Sequence, residues 1–318
     1  MDTRPSHPWQ VVYPPLQAHG RGWLDVGDGH AIYWEECGHP LGRPALVVHG
    51  GPGAGCSEDD RRWFDPRRWR IVLFDQRGAG RSRPLGGLAA NDTAHLLDDI
   101  EALRRHLRID RWLLFGGSWG STLALAYAQR QPQRLQALIL RGVFTASERE
   151  RQWLYSPSGA AKTRPAAWQR FVAAASTVPG TESVLDAYAA QLRYGDDDTA
   201  HAAARAWAGW EQALMDAEPG SDHRHAASML AMARIGVHYA RHDFHLDGVD
   251  LLAGAASLHA VPGVIIQGLD DLVTPPAAAL ALHHAWPGSQ LECIEGAGHA
   301  SSEPRIAQAL VAATDHFA

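Results

Sequence analysis

The stretch Gly116-Gly117-Ser118-Trp119-Gly120 sets a serine in the spacing G-x-S-x-G, directly after one apolar run and directly before a helical pattern. Small residues on either side let the backbone turn sharply and hold the hydroxyl clear of the chain, which a serine nucleophile requires. The hydroxyl is weak alone: it needs a general base, and the base needs an acid to orient it. Downstream, "VIIQGLDDLVTPP" closes an apolar run with two acids, Asp270 and Asp271, and "CIEGAGHASSEP" closes another with His299. Asp271 is the preferred acid, because it stands three residues past Gly268 and before Leu-Val-Thr-Pro, which turns the chain away. Asp270 reads as a helix-capping residue. One histidine among 18 carries little weight. Ser118, Asp271 and His299, in that order and each at the end of an apolar run, suit acyl transfer.

Acyl transfer also needs donors for the developing oxyanion. His49-Gly50-Gly51-Pro52-Gly53 follows the apolar run "ALVV" and resembles the glycine loops that offer a backbone N–H for this purpose. The hole is assigned to the N–H groups of Gly51 and of Trp119, the residue after the nucleophile. One such donor is worth roughly 2.7–4 kcal/mol, because it meets charge present only in the transition state. Metal catalysis has no comparable support: the pairs His223/His225 and His283/His284 lack helical i,i+4 spacing with a carboxylate.

These residues need a scaffold that brings the ends of several strands together. "GWLDVGDGHAIYWEECG" reads as a hairpin about a Gly-Asp-Gly turn, followed by the buried strands "ALVVHG" and "IVLFDQ". Leu96, Ile100, Leu103 and Leu107 fall on one helical face, with Asn91 or Asp92 available as N-cap. The strand "WLLFGG" runs into the helix "SWGSTLALAYAQRQP", which Pro132 stops, and "LQALILRG" is a sixth strand. Strands alternating with helices predict a mostly parallel α/β sheet flanked by helices. From about Thr145 to His245 strand-like runs vanish, and "GDDDT" near Asp197 reads as a solvated loop or a helix start. Strands return as "GVIIQG" and "QLECIEG". The division expected is a core of residues 1–144 and 246–318 with a helical cap, 145–245, inserted between the sixth and seventh strands.

Bulk properties narrow the function classes. The 318 residues suffice for a large buried core, and a net charge of −6 argues against nucleic acid or an anionic membrane as the main partner. Of 29 basic residues only Lys162 is a lysine, a composition bias without structural meaning. The three cysteines, Cys37, Cys56 and Cys293, are widely spaced and odd in number, which fits a reducing compartment such as the cytoplasm better than a disulfide framework. No secretory h-region and no run of 18 apolar residues is present, so no membrane association is expected. Oligomeric state is not legible.

Taken together, "HGGPG", "DQRGAGRS", "GGSWGSTLALAYAQ", "LRGVF", "WAGWE" and "GAGHASSEP" resemble the proline iminopeptidases, α/β-hydrolases with a helical cap. The resemblance covers almost the whole chain. It implies release of an N-terminal proline from a small peptide, without metal or cofactor, and it places nucleophile, acid and base on Ser118, Asp271 and His299. It further implies that Glu211 of Trp207-Ala208-Gly209-Trp210-Glu211 binds the substrate's α-ammonium and that Arg141 and Phe144 help line the site. A second carboxylate of the family follows Ala-Arg-Ile, as in "ARIENHY"; here that position is Gly236. Leu154 stands where the family has an aromatic residue, and "GLDD" where it tends to have "GRYD". Asp216, Glu218 or Asp243 are the candidates to compensate for the missing acid. The alternative activity is hydrolysis of small esters or amides with relaxed recognition of a free amine; a further alternative is a binding protein that keeps the hydrolase fold.

Overall fold

The Gly27-Asp28-Gly29 turn closes the expected hairpin, β1 (Gly20–Asp25) against β2 (Ala31–Gly38), with Trp23 opposite Tyr33. The computed structural model describes residues 11–175, 183–215 and 225–318. Six further strands follow: β3 (Arg43–Val48), β4 (Trp69–Asp75), β5 (Trp112–Ser118), β6 (Leu135–Val143), β7 (Gly263–Gly268) and β8 (Ser289–Ile294). They form one sheet in the order β1-β2-β4-β3-β5-β6-β7-β8. β2 meets β4 antiparallel, and every pairing from β4 to β8 is parallel. The fold is thus the mostly parallel α/β sheet expected from the alternation of elements.

Both faces of the parallel strands are covered, so these strands read as continuous apolar runs. Leu46, Val72, Phe74, Leu114, Leu138 and Leu140 point to one face, where α1 (Thr93–His106) and α2 (Trp119–Arg130) pack. Val47, Ile71, Leu73, Leu113 and Ile139 point to the other, with a different set of helical residues. Asp92, not Asn91, caps α1, its carboxylate accepting from the His95 N–H at 2.9 Å. Asn91 is instead buried, and its amide donates to the carbonyls of Arg77 and Gly87.

Between β6 and β7 lie α3 (Glu148–Tyr155), α4 (Pro165–Ala175), α5 (Val184–Tyr194), α6 (Asp197–Leu214) and α7 (Ala226–Arg241), with no strand among the described residues. The acidic run near Asp197 is a helix start: Asp196 accepts from the Thr199 N–H at 2.9 Å, and Asp197 and Asp198 occupy the first turn. Rings bind these helices together, Phe171 stacking on Tyr188 at 4.7 Å and on Trp210 at 5.7 Å. The segment is tied to the sheet by Trp153 Nε1, which donates to the Leu272 carbonyl at 2.8 Å, and by the Tyr239 hydroxyl, which donates to Asn91 Oδ1 at 3.0 Å. The chain closes with α8 (Ala277–Ala285), β8 and α9 (Pro304–Phe317), whose Ile306 and Leu310 fill the second face of the sheet. Among the described residues no helix is long and apolar enough to cross a membrane.

Candidate active site

Because β3, β5, β7 and β8 are parallel, the loops that follow them emerge at one edge of the sheet, where sites of such folds are built. Ser118 ends β5 with φ 57° and ψ −129°, a conformation rare for a residue with a side chain. The turn holds because Gly120 has no Cβ: one there would collide with the Val48 carbonyl. α2 then starts at Trp119, whose backbone N–H lies in the first turn and has no acceptor within the helix.

The acid and base arrive from the next two strand ends. Asp271 Oδ2 lies 2.7 Å from His299 Nδ1. A carboxylate only accepts, so Nδ1 carries the proton and Nε2 keeps its lone pair. Asp271 is fixed in turn: Oδ1 accepts from the N–H groups of Val273 (2.9 Å) and Thr274 (2.8 Å), and Oδ2 accepts from the Thr274 hydroxyl at 2.9 Å. Burial pushes the Asp271 carboxyl up, but the charge of His299 and the hydrogen bonds from His299 and Thr274 outweigh it and hold the group below the ordinary carboxylate range.

Behind His299 stands Gly142, with φ +53°. A Cβ there would lie 3.0 Å from His299 Cε1 and 3.1 Å from Nδ1, so only glycine leaves the imidazole its place. Arg141 Nη1 donates to the His299 carbonyl at 2.6 Å. Burial pushes the guanidinium down from the arginine range, opposed by the carboxylates of Asp271 and Asp60. Arg141 therefore lines the cavity and also holds the backbone of the base.

The glycine loop after β3 is anchored through Gln76, at the end of β4. Its backbone N–H donates to His49 Nε2 (3.0 Å), its side-chain amide donates to the His49 carbonyl (2.9 Å), and its Oε1 accepts from Trp119 Nε1 (2.9 Å). One buried glutamine thus joins the two segments that carry Gly51 and Trp119. Burial lowers the pKa of His49, in keeping with its role as acceptor.

Ser118, Trp119, Gly51, Arg141, Phe144, Glu211 and His299 all line one cavity of about 380 Å³, with Asp271 buried behind His299. Its far wall comes from α3, α6 and α7: Leu154, Tyr155, Trp210, Glu211 and Met232. Among the described lining residues Glu211 is the one carboxylate; its Oε1 accepts from Trp207 Nε1 at 3.0 Å. Tyr155 stacks on Trp207 at 5.5 Å, and burial together with the Glu211 charge pushes its phenol well up. An aromatic ring is therefore present although Leu154 is not one.

Gly236 is buried in α7 but does not line the cavity. A Cβ there would lie 3.3 Å from Trp207 Nε1, so the position adjoins the indole that holds Glu211. Of the residues considered as replacements for its missing acid, Asp216 and Glu218 fall outside the described residues, as does His223. Asp243 pairs with Arg151 Nε at 2.9 Å and stays out of the cavity wall, so it does not compensate. Sequence reasoning passed over Gln76, Thr274, Gly142 and Tyr155; "DQRG", "DLVTPP", "LRGV" and "WLY" were the available signals.

A family model described as alpha/beta hydrolase fold matches residues 44–305. A proline iminopeptidase of Xylella fastidiosa (strain Temecula1) is 44% identical over 315 residues, covering 97% of this chain and 99% of its own. One from Xanthomonas citri is 43% identical, covering 97% and 100%, and one from Arabidopsis thaliana is 42% identical, covering 96% and 82%. Among solved structures, VinJ superposes with a TM-score of 0.63 at 22% identity, covering 95% of this chain and 100% of its own, which speaks to the fold alone.

Proposed function

The chain belongs to the proline iminopeptidase family of the α/β-hydrolases, and on that premise we propose how its own residues release an N-terminal proline from a peptide. The activity is that of a serine aminopeptidase. The observation that carries the assignment of roles is the Asp271–His299 contact at 2.7 Å, opening on the cavity that Ser118 also lines.

In this reading His299 Nε2 takes the Ser118 proton as Oγ attacks the prolyl carbonyl. Asp271 stabilises the imidazolium without itself becoming protonated. The N–H groups of Gly51 and Trp119 receive the oxyanion, held in place by the Gln76 bridge. His299 then protonates the leaving amine, and water releases proline from the acyl-enzyme by the same route in reverse. Phe144, Leu154, Tyr155 and Trp210 suit the pyrrolidine ring. Glu211 suits the charged α-amine, since a charge-assisted hydrogen bond is among the stronger ones available. With Gly236 in place of a second acid, amine recognition rests on Glu211. We place α3–α7 as the cap that measures the distance from amine to nucleophile. The unpaired cysteines, Cys37, Cys56 and Cys293, support a reducing compartment, the cytoplasm.

The test is turnover of proline p-nitroanilide against its N-acetyl derivative. Strong preference for the free amine, lost in Ser118→Ala, is the expected result. Equal turnover of both, with faster cleavage of uncharged esters, would overturn the reading in favour of a small-ester hydrolase.

A further inference from the structure

The C-terminal end of α7 carries His238 and His242 one turn apart, on the same helical face. Directly after it, the 3-10 turn Asp243–His245 brings in a third ring. One ring nitrogen from each of His238, His242 and His245 lies within 4.8 Å of the others. None of the three lines the catalytic cavity.

From this geometry we propose that His238, His242 and His245 form a binding site for one divalent transition-metal ion of the zinc class, clipping the end of α7 to the turn that follows it. Imidazole suits zinc, copper and nickel, and ligands on a tetrahedral zinc at about 2.0–2.1 Å stand about 3.3 Å apart. His238 Nε2 and His245 Nε2 are 3.2 Å apart, close to that spacing. The Nδ1–H of His242 donates to the His238 carbonyl at 2.7 Å, which leaves its Nε2 as the ligand atom, the arrangement that orients metal-binding histidines. His238 Nε2 faces the Asn91 carbonyl at 3.0 Å; on binding, His238 takes the Nδ1–H tautomer and turns its Nε2 lone pair to the ion.

The backbone at this place is unusual. Asp243, Phe244 and His245 have φ of 51°, 57° and 50°, three consecutive non-glycine residues in the left-handed region. Such a run persists only where its surroundings impose it, and here it delivers His245 against His238. Access is available through exposed His242 and a groove of about 690 Å³ lined by His238 and His242. The clip has a structural consequence: Tyr239 packs on Trp119 at 5.0 Å, and Phe244 packs on Phe144 at 4.9 Å while facing the catalytic cavity. An ion here steadies that wall and contributes no group to the reaction.

The test uses full-length protein purified without a histidine tag and stripped with a chelator. Titration with Co²⁺, followed by its visible absorption, should saturate at one equivalent, and Zn²⁺ should displace the signal. Zn²⁺ should also raise the melting temperature of the wild type. His242→Gln and His245→Gln should each weaken binding by at least about tenfold and abolish the melting shift, whereas His283→Gln should change neither. Circular dichroism and turnover of proline p-nitroanilide in chelator should match the wild type in all three variants. No saturable signal in the wild type, or equal binding in the variants, would overturn the proposal.

Discussion

Replacing Glu211 with glutamine removes one charge and little else. The glutamine carbonyl can still accept from Trp207 Nε1, a partner of the carboxylate at 3.0 Å. What is lost is the anionic partner of an ammonium, worth about 1.5–3 kcal/mol for a hydrogen bond to a charged group. That translates into a loss of about 10–150-fold in kcat/KM. The upper half of the range applies, because Glu211 is the one carboxylate among the described residues of the cavity wall. The assay compares proline p-nitroanilide with an N-acylated ester on wild type and Glu211→Gln. The free-amine substrate should suffer the full loss, while the ester should stay within about twofold, since nothing it presents pairs with the charge. Equal losses on both substrates would refute the reasoning and show that Glu211 acts on the architecture of the cavity.

Gly236→Glu should raise kcat/KM for the free-amine substrate by about tenfold, one charged hydrogen bond, since the new side chain starts 3.3 Å from the indole nitrogen beside Glu211; unchanged turnover would refute this. Gly142→Ala should lower kcat by roughly 10–100-fold through displacement of His299, with KM little changed, as steady-state kinetics on folded variant will read. Gln76→Ala should lower stability by at least about 2 kcal/mol in denaturant melts and also slow turnover, because it strands the buried Trp119 indole N–H and the His49 carbonyl, while the backbone N–H of residue 76 still reaches His49 Nε2. For Asp271 the folded pKa is depressed, so its contribution to stability is full above the unfolded value near 3.9 and is lost as pH falls through the lower folded one. Wild type should therefore lose part of its stability below about pH 4 in acid melts, and Asp271→Asn should lack that component while its kcat falls by about 10⁴-fold.

The sheet and its connections were legible because local patterns carry them. Continuous apolar runs such as "ALVV" and "IVLF" mark strands buried on both faces, and the parallel order then follows from the helices between them. The elbow was legible for a related reason: Gly116 reports a close approach to the Gly120 carbonyl that is local to one turn. Gly236 was legible as an oddity, but its meaning was not, since its neighbour Trp207 lies on another helix.

Sequence alone determined the fold class, the family, and the residue types available for acyl transfer, because periodicity, glycine spacing and chain order are properties of short segments. Only the tertiary structure decided which of these residues share a cavity. Gln76 bridging His49 to Trp119, Arg141 turned to the His299 carbonyl, and Tyr155 stacked on Trp207 against the cavity all depend on segments far apart in the chain. The physical reason is that hydrogen-bond and ring geometry is fixed by packing between elements, which no single stretch of residues encodes.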